Sequence, residues 1–421
     1  MNITISKSDF SGKIQMASSK SHLHRALICA SLGNKPTKLY YNGSSDDVIA
    51  TINCLNVLGA KIDDKGEYFE IIPVKEAKGG IINCNESGST LRFMLPLVCA
   101  LGVECTIKGT KKLLSRPLDP LVNELVSHGA VIEKTEEYIK TSGRLSGGKY
   151  SIRGDVSSQF ITGLLMALPL LKEESILEIT GKIESRPYIE MTLDALKNFS
   201  CTAETEDERV YKIVPMGRYN NPESLRAEGD WSNGAFWCVL GALLENGIEI
   251  EDLETDSAQG DKAIIGISRL AGASVEICDS CIRIARNGLK SFSYNCGNTP
   301  DLVPVMSVLA SVCEGQSRLY NVERLRMKES DRIETTMDMI RALGGEIEYK
   351  EDALIITGRE KLEGGTVDSH NDHRIAMSAA VASAVCKRPI TITGANAVNK
   401  SYRSFWNVFE SIGGNVNKWE E

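Results

Sequence analysis

A helix-ending step recurs along this 421-residue chain at almost constant spacing, and nothing else in the sequence restricts the fold as much. Gly-Ala or Gly-Gly followed by a β-branched residue appears at Gly59-Ala60, Gly129-Ala130, Gly272-Ala273, Gly344-Gly345 and Gly413-Gly414, with a degenerate copy at Ser200-Cys201. From position 59 through 129, 200, 272 and 344 to 413 the intervals are 70, 71, 72, 72 and 69 residues. Repeats at such a period are supersecondary units that share a core. Six units of about 70 residues account for the whole chain.

Each step reads as a helix closed by glycine, where positive φ costs little, and followed by a strand. About fourteen residues upstream lies a polar cluster that should open the helix: Ser45-Asp46-Asp47, Ser115-Arg116-Pro117, Ser185-Arg186-Pro187, Ser330-Asp331-Arg332 and Lys400-Ser401-Tyr402. Serine as N-cap with proline just inside is good start chemistry. A second helix in each unit is apolar nearly all round and should be buried. These helices begin near Lys20, Ser87, Ser157, Trp231, Pro300 and Asp372. With short strands such as Leu177–Thr180 and Ile390–Thr393, a unit has two helices and three or four strands. Six such units group most simply as three plus three, an α/β (α+β) protein of two similar domains.

A purely architectural array would satisfy these patterns, but the charges at the helix starts argue for more. Free N–H groups and the macrodipole draw anions to a helix N-terminus and disfavour cations there. Arg and Lys nevertheless cluster at these starts, which makes sense if an anion lies between them and the helix. Polyanionic ligands held by several helix starts are therefore expected. Net charge of −8 argues against nucleic acid as a partner. The Met1–Ile5 start lacks a basic n-region and a long apolar run, so a cytoplasmic protein without a membrane segment is expected. Twelve scattered cysteines read as reduced thiols; the one CxxC, Cys278–Cys281, has no second pair at zinc spacing.

Six segments concentrate the chemistry: Ser19–Arg25, Glu86–Arg92, Leu114–Leu118, Ser157–Phe160, Arg326–Arg332 and Asn371–Arg374. Hydroxyl-rich turns with arginine suit carboxylates and phosphates. Any one of them alone is more often a capped helix or a solvated charge run.

Together and in this order they resemble the EPSP synthase family along essentially the whole chain, most closely at Ser157–Phe160, Ser185–Tyr188, Lys328–Arg332 and Asn371–Arg374. The resemblance implies two domains of three βαβαββ units each, with the active site in the cleft between them. One domain would hold residues 18–226, and 1–17 with 227–421 the other. It implies enolpyruvyl transfer from phosphoenolpyruvate to shikimate 3-phosphate, through a tetrahedral intermediate. Lys20, Ser21, Arg25, Ser157, Ser158, Gln159, Ser185, Asp301 and Lys328 would bind shikimate 3-phosphate. Lys20, Gly88, Arg116, Gln159, Arg332, Arg374 and Lys400 would bind phosphoenolpyruvate. Asp301 would act as base, Glu329 as proton donor and acceptor at the methylene carbon, and Lys20 and His373 beside them. The chemistry asks for acid–base groups at two atoms and cations for several anions, with no metal or organic cofactor.

The sequence departs from the family pattern in four places. Ala17-Ser18 stands where Pro-Gly is usual, Glu86 and Arg324 where Asn is usual, and Asn396 where the family has a C-terminal lysine, with Lys400 four residues later as a candidate substitute. The nearest rival, transfer of the same group to UDP-N-acetylglucosamine, goes with a cysteine in the loop before the arginine-proline. Gly109–Pro117 has none. A monomer, and inhibition by glyphosate, complete the expectations.

Overall fold

The computed structural model describes residues 1–278 and 280–420. Among these, every sheet is four-stranded, and six sheets share one order of strands. In one of them Gly80–Asn83 lies parallel to Cys105–Lys108, which pairs antiparallel with Tyr138–Gly143, and that in turn with Ala130–Lys134. Helix Gly88–Leu101 makes the parallel crossover, and Asp119–Ser127 precedes the closing hairpin. This is βαβαββ, and a parallel pair requires such a crossover.

The units are not six consecutive pieces, contrary to the plain count. Three sheets take a strand from far away in the chain. Ser224–Arg226 pairs with Thr37–Tyr40, and Lys13–Gln15 with Ile248–Glu251. Asn2–Ile5 lies between Ile390–Thr393 and Val416–Trp419. The chain enters the Lys20–Ala227 unit directly in a helix, so the leading strand of that sheet, Ser224–Arg226, comes from the far end of the same unit. Two compact units result, one of Lys20–Ala227 and one of Met1–Ser19 with the chain from Glu228 onward. The expected cuts lay at 17/18 and 226/227.

The glycines of the repeat end their helices in the left-handed region, with φ of +106° at Gly59, +103° at Gly129, +92° at Gly272, +82° at Gly344 and +101° at Gly413. Ser200 of the degenerate copy adopts the same conformation, at +56°. The helix starts differ from expectation in three places, the third being Lys400-Ser401-Tyr402, where Lys400 ends the 3-10 helix Ala395–Lys400 and the α-helix begins only at Phe405. Ser45 caps its helix, accepting from the Val48 N–H, but Ser115 ends the short helix Lys111–Leu114 and donates to Lys112 O at 3.0 Å. Ser185 is itself left-handed, at +53°. The helices that follow, Asp119–Ser127 and Pro187–Asn198, carry proline at their second and first positions and have no side-chain cap. Proline has no N–H to satisfy there, which lowers the demand for a cap.

Each unit has its own apolar core. In the discontinuous unit the buried helices Trp231–Leu243, Val303–Ala310 and His373–Ala382 pack on one another. In the continuous unit Gly88–Leu101 packs on Ser158–Ala167. A Cβ at Gly163 would lie 2.5 Å from Arg92 O, so only glycine permits that approach. Pro96, four residues beyond Arg92 and lacking an N–H, leaves the same carbonyl without its helical donor. No helix among the described residues is long and apolar enough to cross a membrane.

Candidate functional site

In the discontinuous unit the functional groups sit where helices begin. Asp372 caps His373–Ala382, accepting from the Arg374 N–H at 3.0 Å, and its carboxylate also receives Arg332 Nε at 2.7 Å and Nη2 at 3.2 Å. Ser330 Oγ donates to the same group at 3.0 Å. Arg332 begins its own helix, Arg332–Ala342, and its third nitrogen reaches Asp301 Oδ1 at 2.8 Å. Asp301 lies in the 3-10 turn Pro300–Leu302 before Val303–Ala310. Its other oxygen takes Arg374 Nη2 at 3.0 Å, and Lys328 Nζ is 3.5 Å from Oδ1.

This is a buried network with more than one cation per carboxylate. Burial alone would push the Asp301 carboxyl up; Arg374, Lys328 and Arg332 more than reverse it and hold it well below the ordinary range. Asp372 is likewise held down, against burial, chiefly by Arg332. Arg332 responds in the opposite sense: Asp372, Asp301 and Glu329 hold its proton more tightly although burial favours losing it. Arg332 is only 2% exposed, so truncating either acid would leave a cation in a dry site.

Glu329 stands at the edge of this network. Its Oε2 is 3.0 Å from His373 Nδ1 and 3.9 Å from Lys400 Nζ, which also donates to Asn371 O at 2.6 Å. The structure thus brings Asp301, Lys328, Glu329, Arg332, His373, Arg374 and Lys400 together. Glu329, Asp372 and His373 place three ligand-type atoms within 4.8 Å of one another. Both Asp372 oxygens are already engaged by Arg332, which makes the cluster an ion-pair network rather than an open ligand set.

The continuous unit carries a second cationic centre. Lys20, at the start of helix Lys20–Ser31, pairs with Asp47 Oδ2 at 2.9 Å. The Asp47 carbonyl accepts from Thr90 Oγ1 at 3.3 Å, tying Lys20's partner to the first turn of Gly88–Leu101. At that turn two guanidinium groups converge: a Cβ at Gly88 would lie 2.7 Å from both Arg116 Nη1 and Arg92 Nη1. Gln159 holds the cluster from the next helix, receiving Arg92 Nη1 at 3.0 Å and donating to Ser89 Oγ at 2.9 Å. Ser157 caps that helix, and Ser158 is buried in its first turn. Burial and the neighbouring charge of Arg116 both make Arg92 less willing to hold its proton.

Arg25 is different. It is buried against neutral groups, donating to Thr192 Oγ1 at 3.0 Å, Ser21 O at 2.7 Å, Thr162 Oγ1 at 3.3 Å and Tyr188 O at 2.9 Å. Burial brings it down to about 10. These bonds link Ser21 and the helix that follows Ser185 to the Ser158–Ala167 helix.

The sequence reading missed Asp372, Arg92, Ser232 and Asp261 as members of these centres. Arg92 and Asp372 lay inside quoted segments, and their helix-start positions were the available signal. Ser232 carried the same signal, in the first turn of the helix that begins at Trp231, whereas Asp261, in a 3-10 turn, had none.

Cations set around buried aspartates at the starts of buried helices, with an adjoining Glu–His pair, suit an enzyme that does acid–base chemistry on small polyanions. A sequence model of the EPSP synthase (3-phosphoshikimate 1-carboxyvinyltransferase) family matches residues 5–409. Two relatives carry the name 3-phosphoshikimate 1-carboxyvinyltransferase. That of Clostridium kluyveri is 40% identical, covering 99% of this chain and 98% of its own. That of Brachyspira hyodysenteriae is 40% identical over 99% and 100%. The fold matches the EPSP synthase of Acinetobacter baumannii, with a TM-score of 0.83 at 24% identity over 99% of both chains. It also matches the enolpyruvyl transferase NikO of Streptomyces tendae, with a TM-score of 0.80 at 15% identity over 99% and 98%. The chain belongs to the EPSP synthase family, whose reaction is enolpyruvyl transfer to shikimate 3-phosphate.

Proposed function

We propose that residues of both units serve one reaction, the transfer of the enolpyruvyl group of phosphoenolpyruvate to the 5-hydroxyl of shikimate 3-phosphate. The observation that carries this reading is the surround of Asp301: Arg332 and Arg374 each within 3.0 Å of a carboxylate oxygen, Lys328 at 3.5 Å, and the Glu329–His373 pair alongside.

The acceptor oxygen bonds to C2 of phosphoenolpyruvate while C3 gains a proton, giving a tetrahedral adduct. The C2–O bond to phosphate then breaks, C3 returns its proton, and the double bond re-forms. The proton balance at C3 needs one group that gives and takes back, and Glu329 is assigned that role, held by His373. Asp301 binds the acceptor's hydroxyls and takes the proton of the attacking one. A carboxylate held so far down is a weak base. Substrate anions that bind Arg332, Arg374 and Lys328 would offset those charges and raise its basicity, so the base strengthens as the substrates arrive.

In the continuous unit, Lys20, Ser21, Arg25, Ser157, Ser158, Gln159 and Ser185 are assigned to shikimate 3-phosphate. Gly88, Arg116 and Gln159, with Lys20, are assigned to phosphoenolpyruvate, as are Arg332, Arg374 and Lys400 of the discontinuous unit. Arg92 adds a second guanidinium beside Gly88. Inhibition by glyphosate, a monomeric state and a cytoplasmic location belong to the same proposal.

Phosphate release from the purified protein with both substrates tests the reading. Turnover with shikimate 3-phosphate and none with UDP-N-acetylglucosamine is expected. Turnover with the UDP-sugar instead would replace the acceptor, and none with either would overturn the proposal.

A further inference from the structure

Asp261 is a fully buried carboxyl that the reaction described above does not use. It lies in the 3-10 turn Gly260–Ala263, against the first turn of Trp231–Leu243. Ser232 Oγ is 2.6 Å from Asp261 Oδ2, and Arg374 Nη2 is 2.8 Å from the same Ser232 oxygen. Arg374 Nη2 also donates to Asp301 at 3.0 Å.

The direction of these bonds is fixed by chemistry. A guanidinium can only donate, so Ser232 must accept from Arg374. A carboxylate can only accept, so the serine's single proton must go to Asp261. The ionised acid therefore keeps the serine lone pairs turned toward Arg374. We propose that Asp261 is a positioning residue, which acts through Ser232 to fix where Arg374 presents its guanidinium to the anionic group of phosphoenolpyruvate. This rests on the assignment of Arg374 to that substrate.

Protonated Asp261 could donate to Ser232 instead, and the serine would then be free to turn its own proton toward Arg374. The carboxyl is poised for this. Burial and the charge of Asp301 push it up to about 6, opposed by Arg374 and the Ser232 bond, with Asp230 raising it further. Tyr294 senses the Asp261 charge in turn.

The test is a set of steady-state measurements on Ser232→Ala, Asp261→Asn and the double variant. Each single change should raise KM for phosphoenolpyruvate by about tenfold, with kcat and KM for shikimate 3-phosphate changing by less than about threefold. The double variant should be no worse than Ser232→Ala alone, because the acid acts only through the serine. In the wild type, KM for phosphoenolpyruvate should climb as pH falls through about 6, and in Ser232→Ala that climb should vanish. Additive losses, an unchanged KM, or a climb that persists without the serine would each overturn the inference. If Asp261→Asn does not fold, the pH series on wild type and Ser232→Ala still decides. A wild type without turnover on the two substrates would instead refute the functional reading itself.

Discussion

His373 Nδ1 lies 3.0 Å from Glu329 Oε2, while Arg332 Nη2 stands 3.8 Å from the other oxygen of the same carboxylate. Histidine opens a helix here, where the macrodipole disfavours a positive ring. A ring that donates from Nδ1 to this carboxylate aims the glutamate.

Glu329→Gln keeps this shape and removes proton transfer. The expected result is a kcat lower by on the order of 10²–10⁴, with affinity for shikimate 3-phosphate nearly intact. A variant that kept more than about a third of its turnover would remove Glu329 from the reaction. His373→Asn should cost less, because Lys400 and Arg332 still flank the carboxylate.

Asp372→Asn tests the buried pair. The substitution leaves Arg332 with Asp301 and the more distant Glu329, in a site too dry to solvate the difference. Loss of one partner of such a pair costs about 3 kcal/mol. Urea unfolding should show the midpoint falling at unchanged m-value, and an unchanged midpoint would mean that Asp301 alone suffices to hold Arg332.

The acids of this site pull the pH dependence of stability in opposite directions. Asp301 and Asp372 sit below their ordinary range, so what they contribute is present above about pH 4 and is lost as pH falls through their folded-state values. Asp261, raised to about 6, does the reverse: between about pH 4 and 6 the folded state binds the extra proton, so stability falls as pH rises through that window. Asp261→Asn should therefore be more stable than wild type at pH 8, by about 1–3 kcal/mol, and gain less at pH 5. Denaturation curves at the two pH values check the sign. A gain at pH 8 beside a weakened KM would mark a residue kept for function at a cost in stability.

The sequence made the helix ends legible because one physical requirement, positive φ after a helix, leaves a glycine every 70 or so residues. Ser200 shows the limit, since a serine meets the same requirement without that signature. Lys328, Glu329, Arg332, His373 and Arg374 could be picked out together because each is at or beside a helix start, where charge is conspicuous. Asp261 could not, being an isolated acid whose partnership with Ser232 exists only after folding. The exchanged strands were hidden for a related reason. Ser224–Arg226 and Lys13–Gln15 are three residues each, too short for a period-2 pattern, and their partners lie far off in the chain. The serines expected to cap after 115 and 185 failed because helices with proline in the first turn have less need of a cap.

Gly88→Ala should weaken glyphosate more than phosphoenolpyruvate. The added methyl would stand 2.7 Å from Nη1 of both Arg92 and Arg116, well inside contact distance. These are ends of flexible side chains, so they shift rather than break the fold. Gln159 holds Arg92 at 3.0 Å and Phe160 lies under it, ring centroid 5.8 Å from Cζ. Displacing either guanidinium loosens the phosphoenolpyruvate site assigned to Arg116. Phosphoenolpyruvate is compact and can follow the displaced guanidinium. Glyphosate is longer, with a phosphonate and a carboxylate at its two ends, and the methyl takes part of the length it needs. Phe93 is a core residue under Arg25, ring centroid 5.6 Å from Cζ, so it anchors the helix that presents Gly88. KM for phosphoenolpyruvate should rise by several-fold and the inhibition constant for glyphosate by at least about tenfold more. Inhibition constants and KM for both forms decide it, and an equal loss for inhibitor and substrate would show that the methyl acts only by moving the guanidinium groups.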